Sequence, residues 1–455
     1  MFRIFFTSLG CDKNLVDSEV MLALIAHGGF ELVYDETQAD IAVINTCSFI
    51  QDAVTESVEH IISLGALKKR GLKYLVVTGC LAQRYRDDIF NELPEVDAVI
   101  GTGDYDKILE IITELTDKHG KISAVSDICA ADESLAENRM LTGLTHVAYL
   151  KIAEGCDNNC TYCTIPKIRG RYRSRSTESL LREARNLSGL GVRELVIIAQ
   201  DTANYGIDLY GESRLHILLN KLSEIDGIEW IRLMYAYPEH ITDALITEMT
   251  RNAKICHYID MPIQHSSDKI IRNMGRRGSN AELRALITKL REHMPDICIR
   301  TTLIVGFPGE TRADFAELMD FAKDMRFDRL GVFEYSREEG TPAANLPGQK
   351  SLATKKRRKD TIMRLQRDIT RAKNHAEIGK KLKIITDGKI DGAYCGRSYR
   401  DAYEIDGLVF FNADHEIMSG EFIEVTIKSA TDYDLYATRD YSALSKVFAP
   451  RKMSE

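Results

Sequence analysis

No stretch of this chain is long and apolar enough to cross a bilayer. A spanning helix needs ~20 apolar residues in a row, and every apolar run in these 455 residues is interrupted well before that. Glycine and proline are sparse, at 30 and 9 residues, which excludes a collagen-like or low-complexity chain. The opening Met1-Phe-Arg-Ile-Phe-Phe6 reads directly into a strand and lacks the charged start, apolar core and small-residue cleavage site of a secretory signal. The expectation is a cytoplasmic protein with no membrane association. Ten cysteines without an export signal are then reduced thiols, acting as ligands or core residues rather than disulfides. No sequence repeat of ~20–50 residues is present. What remains is 44% apolar and 28% charged, an ordinary globular composition with length for two or three domains.

Three of the cysteines stand as Cys156-x3-Cys160-x2-Cys163, directly after the apolar run Tyr149-Leu-Lys-Ile-Ala153. Three thiolates this close can wrap one iron–sulfur cube. A four-iron cube takes four ligands, usually all thiolate, so a three-thiol loop leaves one iron open to a small molecule, as a catalytic metal site keeps a free position. A zinc knuckle is the competing reading. It wants a fourth ligand nearby, and the next cysteine is Cys256 while the nearest downstream histidine is His216.

The first ~125 residues alternate strand and helix patterns. Strands are expected at 3–8, 41–46, 74–78 and 96–100, with helices near 16–27, 51–67 and 81–90. Such alternation predicts a parallel sheet with right-handed crossovers. Residues 127–143 lose apolar periodicity and gain Asp, Glu, Ser and Asn, the composition of a linker. From residue 149 the alternation resumes with longer periods. Strands are expected at 149–153, 194–199, 230–235, 257–261, 298–305 and 330–335. Helices are expected near 177–190, 214–224, 242–251, 281–293 and 312–325. Six units make an open barrel; the closed form needs eight. The last ~70 residues switch to short strands, such as 382–386, 408–412 and 422–430, separated by Asp406-Gly407 and Ser419-Gly420. That pattern is a small β-barrel or sandwich. The expected division is 1–125, a linker at 126–143, a partial barrel at 144–372 and a β domain at 373–448.

Cys11, Cys47 and Cys80 are far apart in sequence, yet each falls within three residues of the end of an expected strand. Strand C-termini of a parallel sheet share one edge, where ligands collect. The fold rule therefore puts three more thiols on one rim as a second candidate cluster site. The alternative is three unrelated buried cysteines. Cys129, Cys256, Cys298 and Cys395 have no partner at metal spacing and read as structural.

The net charge is −8, unevenly distributed. Residues 350–383 carry 13 Lys/Arg against 3 Asp/Glu, and residues 384–448 carry 12 Asp/Glu against 6 Lys/Arg. An acidic module is a poor clamp for RNA, whose phosphates want cations, and suits a basic protein partner. The basic stretch is either the solvated face of a connecting helix or a contact for RNA.

Gly155-Cys-Asp-Asn-Asn-Cys-Thr-Tyr-Cys163, with Ile165-Pro-Lys-Ile-Arg-Gly170 and Arg173-Ser-Arg175, resembles the radical S-adenosylmethionine (SAM) methylthiotransferases. The amino-terminal cysteine triad and the β-rich tail are similar to that family's first domain and its TRAM domain. Ser8-Leu-Gly-Cys-Asp-Lys-Asn-Leu-Val-Asp-Ser-Glu19 and Gln200-Asp-Thr-Ala-Asn-Tyr-Gly-Ile-Asp-Leu-Tyr-Gly211 resemble the branch that modifies a ribosomal protein. The resemblance implies an α/β multidomain enzyme with an amino-terminal parallel sheet, a central partial (β/α)6 TIM-like barrel and a small antiparallel β-barrel. It implies two 4Fe-4S clusters, on Cys156, Cys160 and Cys163 and on Cys11, Cys47 and Cys80. One SAM would donate a methyl group and a second would supply a 5′-deoxyadenosyl radical, with sulfide or persulfide as the sulfur source and a flavodoxin or ferredoxin type electron donor. The implied substrate is the twelfth protein of the small ribosomal subunit, converted at one aspartate to β-methylthio-aspartate. Methylthiolation of adenosine in transfer RNA is the alternative within the family, and a zinc or iron binding module without catalysis is the alternative outside it.

Candidate SAM contacts follow from the same resemblance and from barrel logic. Tyr162, between two cluster cysteines, would approach the adenine, or else cap the loop. Thr302-Leu-Ile-Val-Gly-Phe-Pro-Gly-Glu310 resembles an adenine-contacting strand motif, with Ile304 and Gly306 as its contacts and Thr302 where glycine is commoner. Gln200, Asp201 and Gln264 fall at strand C-termini, the catalytic face of a barrel, to bind the SAM ribose or carboxylate or merely to bond along the rim. Lys167, Arg169, Arg171, Arg173 and Arg175 form a basic stripe that would neutralise carboxylates, though a solvated loop face accounts for most of it.

Overall fold

A computed structural model describes residues 1–437 except 119, 130, 132 and 414, so the end of the expected β domain, 438–448, lies outside the described residues. The amino-terminal sheet is fully parallel, in the order β2-β1-β3-β4-β5-β6. Its strands are β1 (Arg3–Ser8), β2 (Glu31–Val33), β3 (Ile41–Thr46), β4 (Tyr74–Gly79), β5 (Ala98–Ile100) and β6 (Ile122–Ala124). β3 and β4 are buried at every position, as strands covered by helices on both faces must be. The edge strands β2 and β6 went unrecognised in the sequence because three residues carry too little periodicity to show.

The central sheet is also parallel, running β14-β13-β12-β11-β10-β7 without closing. It comprises β7 (Val147–Lys151), β10 (Glu194–Ile198), β11 (Trp230–Leu233), β12 (Ile255–Asp260), β13 (Cys298–Val305) and β14 (Arg329–Glu334). Between β7 and β10, β8 (Ala153–Glu154) pairs antiparallel with β9 (Arg173–Ser174). That two-rung clamp pinches off the loop carrying Cys156, Cys160 and Cys163. One face of the sheet packs Leu150, Ile197, Ile231 and Ile299 against the surrounding helices. The other face presents Tyr149, Val196, Trp230 and Tyr258, in one apolar cluster with Val16 and Val20 of the first helix, Asp12–His27, and with Ile385 and Ala402 of the tail. The helix Leu352–His375 lies along β14, the open edge.

The tail forms a six-stranded sheet, β18-β15-β16-β17-β20-β19, from β15 (Lys381–Ile390), β16 (Ala393–Ser398), β17 (Val409–Phe411), β18 (Phe422–Thr426), β19 (Ser429–Ala430) and β20 (Leu435–Ala437). All pairs are antiparallel except β17 with β20. It docks beneath the barrel through buried charge. Glu194 bonds Arg232 at 2.7 Å and Arg397 at 2.5 Å. Arg329 reaches Asp401 at 2.6 Å, and Tyr258 donates to Asp406 at 2.7 Å. Part of the tail's acidic surplus is therefore spent inside the protein, which weakens the simple reading of that surplus as a partner surface. The stretch at 126–143 is no free tether either. Arg139, buried, pairs with Glu19 of the first helix and with Glu183 beside the barrel.

Burial alone would raise the Glu194 carboxyl, but Arg397 and Arg232 outweigh it and hold it below the ordinary range. A depressed carboxyl stabilises the fold above its unfolded pKa, about 4.3, and that contribution fades as pH falls through the folded value. Glu194→Gln is expected to lose about 3–5 kcal/mol at pH 7, because it strands two buried guanidinium groups. Urea unfolding should show the gap between variant and wild type shrinking below about pH 4.

Candidate active site

β1, β3 and β4 are neighbours in the sheet, and each is followed within three residues by a cysteine. Cys11 caps the first helix, Cys47 follows β3 directly, and Cys80 opens the short helix after β4. The structure thus brings the three thiols to one rim, close enough that Cys11 adds to the cost of ionising Cys47, and Cys11 and Cys47 to that of ionising Cys80. A polar staple beneath them escaped the sequence reading. Asn14 donates to Leu9 O and Thr46 O, and Asn45 donates to Asn14 O and Ser18 Oγ. Gly10 and Gly79 make the rim possible. Both hold positive φ, +94° and +92°, and a Cβ would fall 2.9 Å from Cys47 Cβ in the first and 2.1 Å from Asn45 Oδ1 in the second.

Burial pushes the Cys47 thiol up and the Cys80 thiol up to about 12, while Arg169 pulls both down. Arg169 stands 3.5 Å from Cys80 Sγ. It belongs to the other cysteine loop. The basic stripe has two buried members, Arg169 here and Arg175 against Glu183 and the Lys151 carbonyl, while Arg171 is solvated. The same guanidinium bonds Asp17 of the first helix at 2.5 Å and Glu154 of β8 at 3.1 Å. Lys151, at the end of β7, bonds Asp17 at 2.7 Å, Glu154 at 2.9 Å and Glu133 at 3.0 Å. Burial would raise the Glu154 carboxyl, but Lys151 and Arg169 hold it far below the usual range.

In the second loop, backbone N–H groups already aim at sulfur, from Asn158 to Cys156 and from Ile165 to Cys163, both at 3.4 Å. Burial raises Cys156 to about 12 and Cys163 further. Buried thiols facing amide donors suit thiolate bound to metal, which returns the positive charge that burial removes. Among the described residues, no three Cys, His, Asp or Glu side chains converge on a single ion-sized point. Cys129 is apart from both sets, next to Arg173, and Cys256, Cys298 and Cys395 are buried in cores.

A second segment links the neighbourhoods of the two cysteine sets, and nothing in its sequence announced it. After β11, Tyr235 takes φ +55°, a strained value for a bulky residue. Its ring is half-buried, and its hydroxyl donates to Asp12, the residue after Cys11, at 3.3 Å. Two residues on, the Tyr237 hydroxyl is 3.2 Å from Cys160 Sγ, and Arg276 stacks on the Tyr237 ring at 3.9 Å.

The expected SAM contacts divide. Tyr162 and Ile304 pack together against Ile270, Phe307 and Tyr335, an apolar wall beside the loop. Gln264, with φ +68°, and Gln200 each keep a buried Oε1 without a partner. The other end of the Gln200 amide donates to Glu154. Asp201 is occupied: it accepts from Asn158 at 2.8 Å, bonds His240 at 2.6 Å and accepts from Tyr237 N–H at 3.3 Å. It ties the cluster loop to the tyrosine segment rather than facing outward. Gly306 is approached by the Lys355 stem, which a Cβ would meet at 2.4 Å.

Residues 3–101 match the uncharacterized protein family UPF0004, 150–322 the radical SAM superfamily and 378–439 the TRAM domain. The chain is 53% identical over 441 residues to the ribosomal protein uS12 methylthiotransferase RimO of Lachnoclostridium phytofermentans, covering 96% of this chain and 100% of that one. The chain belongs to the ribosomal protein uS12 methylthiotransferase family. Members named in the same way in Thermoanaerobacter sp. (strain X514) and Clostridioides difficile are each 47% identical, over 96% of this chain and 99% and 98% of theirs. The radical SAM methyltransferase TsrM from Kitasatospora setae, with cobalamin and a [4Fe-4S] cluster bound, shares the fold at 12% identity, with a TM-score of 0.57 over 75% of this chain and 76% of that one.

Gly79→Ala is expected to cost this methylthiotransferase about 1–3 kcal/mol, through left-handed strain and the clash with Asn45. Gly189→Ala, at an exposed helix end with nothing within 4 Å, should be neutral or slightly stabilising. Urea midpoints of the two variants measure the contrast.

Proposed function

We propose that this chain converts one aspartate of ribosomal protein uS12 to its β-methylthio form, with SAM and two 4Fe-4S clusters as cofactors. The observation that carries this reading is two cysteine triads joined by Arg169, which belongs to the loop of Cys156, Cys160 and Cys163 and stands 3.5 Å from Cys80 Sγ, in a chain of that family. When bound, the clusters and SAM supply the one-electron chemistry, the hydrogen abstraction and the methylated sulfur, which no side chain can supply at an unactivated C–H bond. Cys156, Cys160 and Cys163 would hold one cluster and Cys11, Cys47 and Cys80 the other.

The rest is positioning. Tyr162 and Ile304 would lie against the adenine, and the bare Oε1 atoms of Gln200 and Gln264 would accept from SAM hydroxyl or amino groups. Asp201 holds Asn158, and with it the cluster loop, in register with Tyr237. The Lys151–Asp17–Glu154–Arg169 lattice closes the crevice floor to water. Exposed acids of the tail, such as Glu404 and Glu416, would meet a basic ribosomal protein. Lys356, Arg357 and Arg364, exposed on the helix Leu352–His375, would meet ribosomal RNA. A flavodoxin or ferredoxin type donor would deliver electrons.

Incubating reconstituted enzyme, SAM and reductant with small ribosomal subunits should add one methylthio group to uS12, read by mass spectrometry of the protein. Digested transfer RNA should stay unmodified; the reverse outcome selects the adenosine alternative. Wild type should bind about eight irons, and Cys156→Ala should abolish SAM cleavage. Cys47→Ala should still cleave SAM but form no methylthio product. Full methylthiolation by Cys47→Ala would sink the two-cluster reading.

A further inference from the structure

The first helix opens Cys11-Asp12-Lys13, and the roles described so far leave the last two side chains unused. Both are buried, 5% exposed for Asp12 and 8% for Lys13. Lys13 Nζ lies 3.1 Å from Asp12 Oδ1 and 2.9 Å from the centroid of the Tyr235 ring. The Tyr235 hydroxyl donates to the same Asp12 oxygen. The other oxygen, Asp12 Oδ2, is buried without a hydrogen-bond partner. An ammonium carries three donors; Asp12 takes one, and the aromatic face attracts the charge without accepting a conventional bond. A bare acceptor and an undersupplied donor therefore stand side by side, next in sequence to Cys11 and against Tyr235.

The neighbouring cations are committed. Arg169 is held by Asp17 and Glu154, Lys151 by three carboxylates, and Arg276 by Glu239, the Pro262 carbonyl and the Tyr237 ring. Lys13 is the buried cation here with capacity left for an incoming anion.

We infer that Lys13 and Asp12 grip the target residue across its reacting carbon. Lys13 takes the side-chain carboxylate, and Asp12 Oδ2 accepts the same residue's backbone N–H. This rests on the aspartate methylthiolation proposed above. In an aspartate the β-carbon sits between the carboxylate carbon and the α-carbon that bears the N–H. Two contacts on either side of it fix which hydrogen is presented and where the sulfur must arrive. Placing a second carboxylate near Asp12 is repulsive, and an ammonium between the two offsets it. Lys151 already does this for Asp17, Glu133 and Glu154, all within 3.0 Å of its Nζ.

The test compares uS12 carrying aspartate or asparagine at the target position, with reconstituted holoenzyme. Wild type should favour the aspartate form by about 10- to 100-fold in kcat/KM, the range of a charge-assisted hydrogen bond. Lys13→Met should shrink that ratio to within about threefold, and Lys13→Arg should restore most of it. Asp12→Ala should raise KM for both forms together and leave the ratio above tenfold. Cluster absorbance and thermal melts establish that each variant is loaded and folded. A Lys13→Met enzyme that keeps the wild-type preference overturns the inference. So does a wild-type enzyme indifferent to the substitution, even if no variant folds. Failure of wild type to modify either form overturns the functional reading, and this inference with it.

Discussion

The two cysteine sets share a frame because a buried ionic lattice locks together the domains that carry them. Asp17 comes from the first helix, Lys151 and Glu154 from either side of a barrel strand end, and Arg169 from the far side of the cluster loop. Buried charge is expensive to desolvate, and an apolar replacement of the whole lattice could be as stable. Removal of a single partner, in contrast, costs about 3–5 kcal/mol, a large share of a typical folding free energy of ~5–15 kcal/mol. The lattice thus admits few alternative dockings, and its outermost member, Arg169, ends beside Cys80. Position, more than net stability, is what this interaction secures.

The same logic governs the thiols. In the protein alone, burial favours neutral Cys80 and Cys156, so both pockets are poor homes for free thiolates and good ones for thiolates whose charge a metal offsets. Amide donors at Cys156 and Cys163 and a guanidinium at Cys80 are preorganised for that charged state. Backbone strain is placed nearby. Tyr235 and Gln264, two of the five non-glycine residues at positive φ among the described residues, both follow strand ends, where strain persists only when the surroundings over-determine it.

Charge sums were a less reliable guide than charge positions. The tail is acidic in composition, yet Asp387, Asp401 and Asp406 answer arginines in the barrel and in the tail itself. In the basic helix, Lys355 and Arg358 are turned inward to Tyr335 O and Glu310, while Lys356 and Arg357 face out. Only the outward groups remain for a partner, and a sum over sequence cannot tell the two kinds apart.

Much was nonetheless legible in the chain by itself. Cys156, Cys160 and Cys163 stand out as a candidate ligand loop because they are close along the backbone, where chain connectivity alone keeps them near. The expected barrel strands fell within a few residues of those observed because parallel strands bury both faces and read as apolar runs. Even the distant Cys11, Cys47 and Cys80 could be gathered by rule, since parallel strands share one C-terminal edge. The tertiary structure alone decided what crosses between domains: Arg169 reaching Cys80, Asp201 turned to Asn158 and His240, and Tyr235 meeting Asp12 from 223 positions away. Such contacts depend on the angle and depth at which separately folded layers pack. No local periodicity encodes that; it emerges only when the buried charges of several elements must all find partners at once.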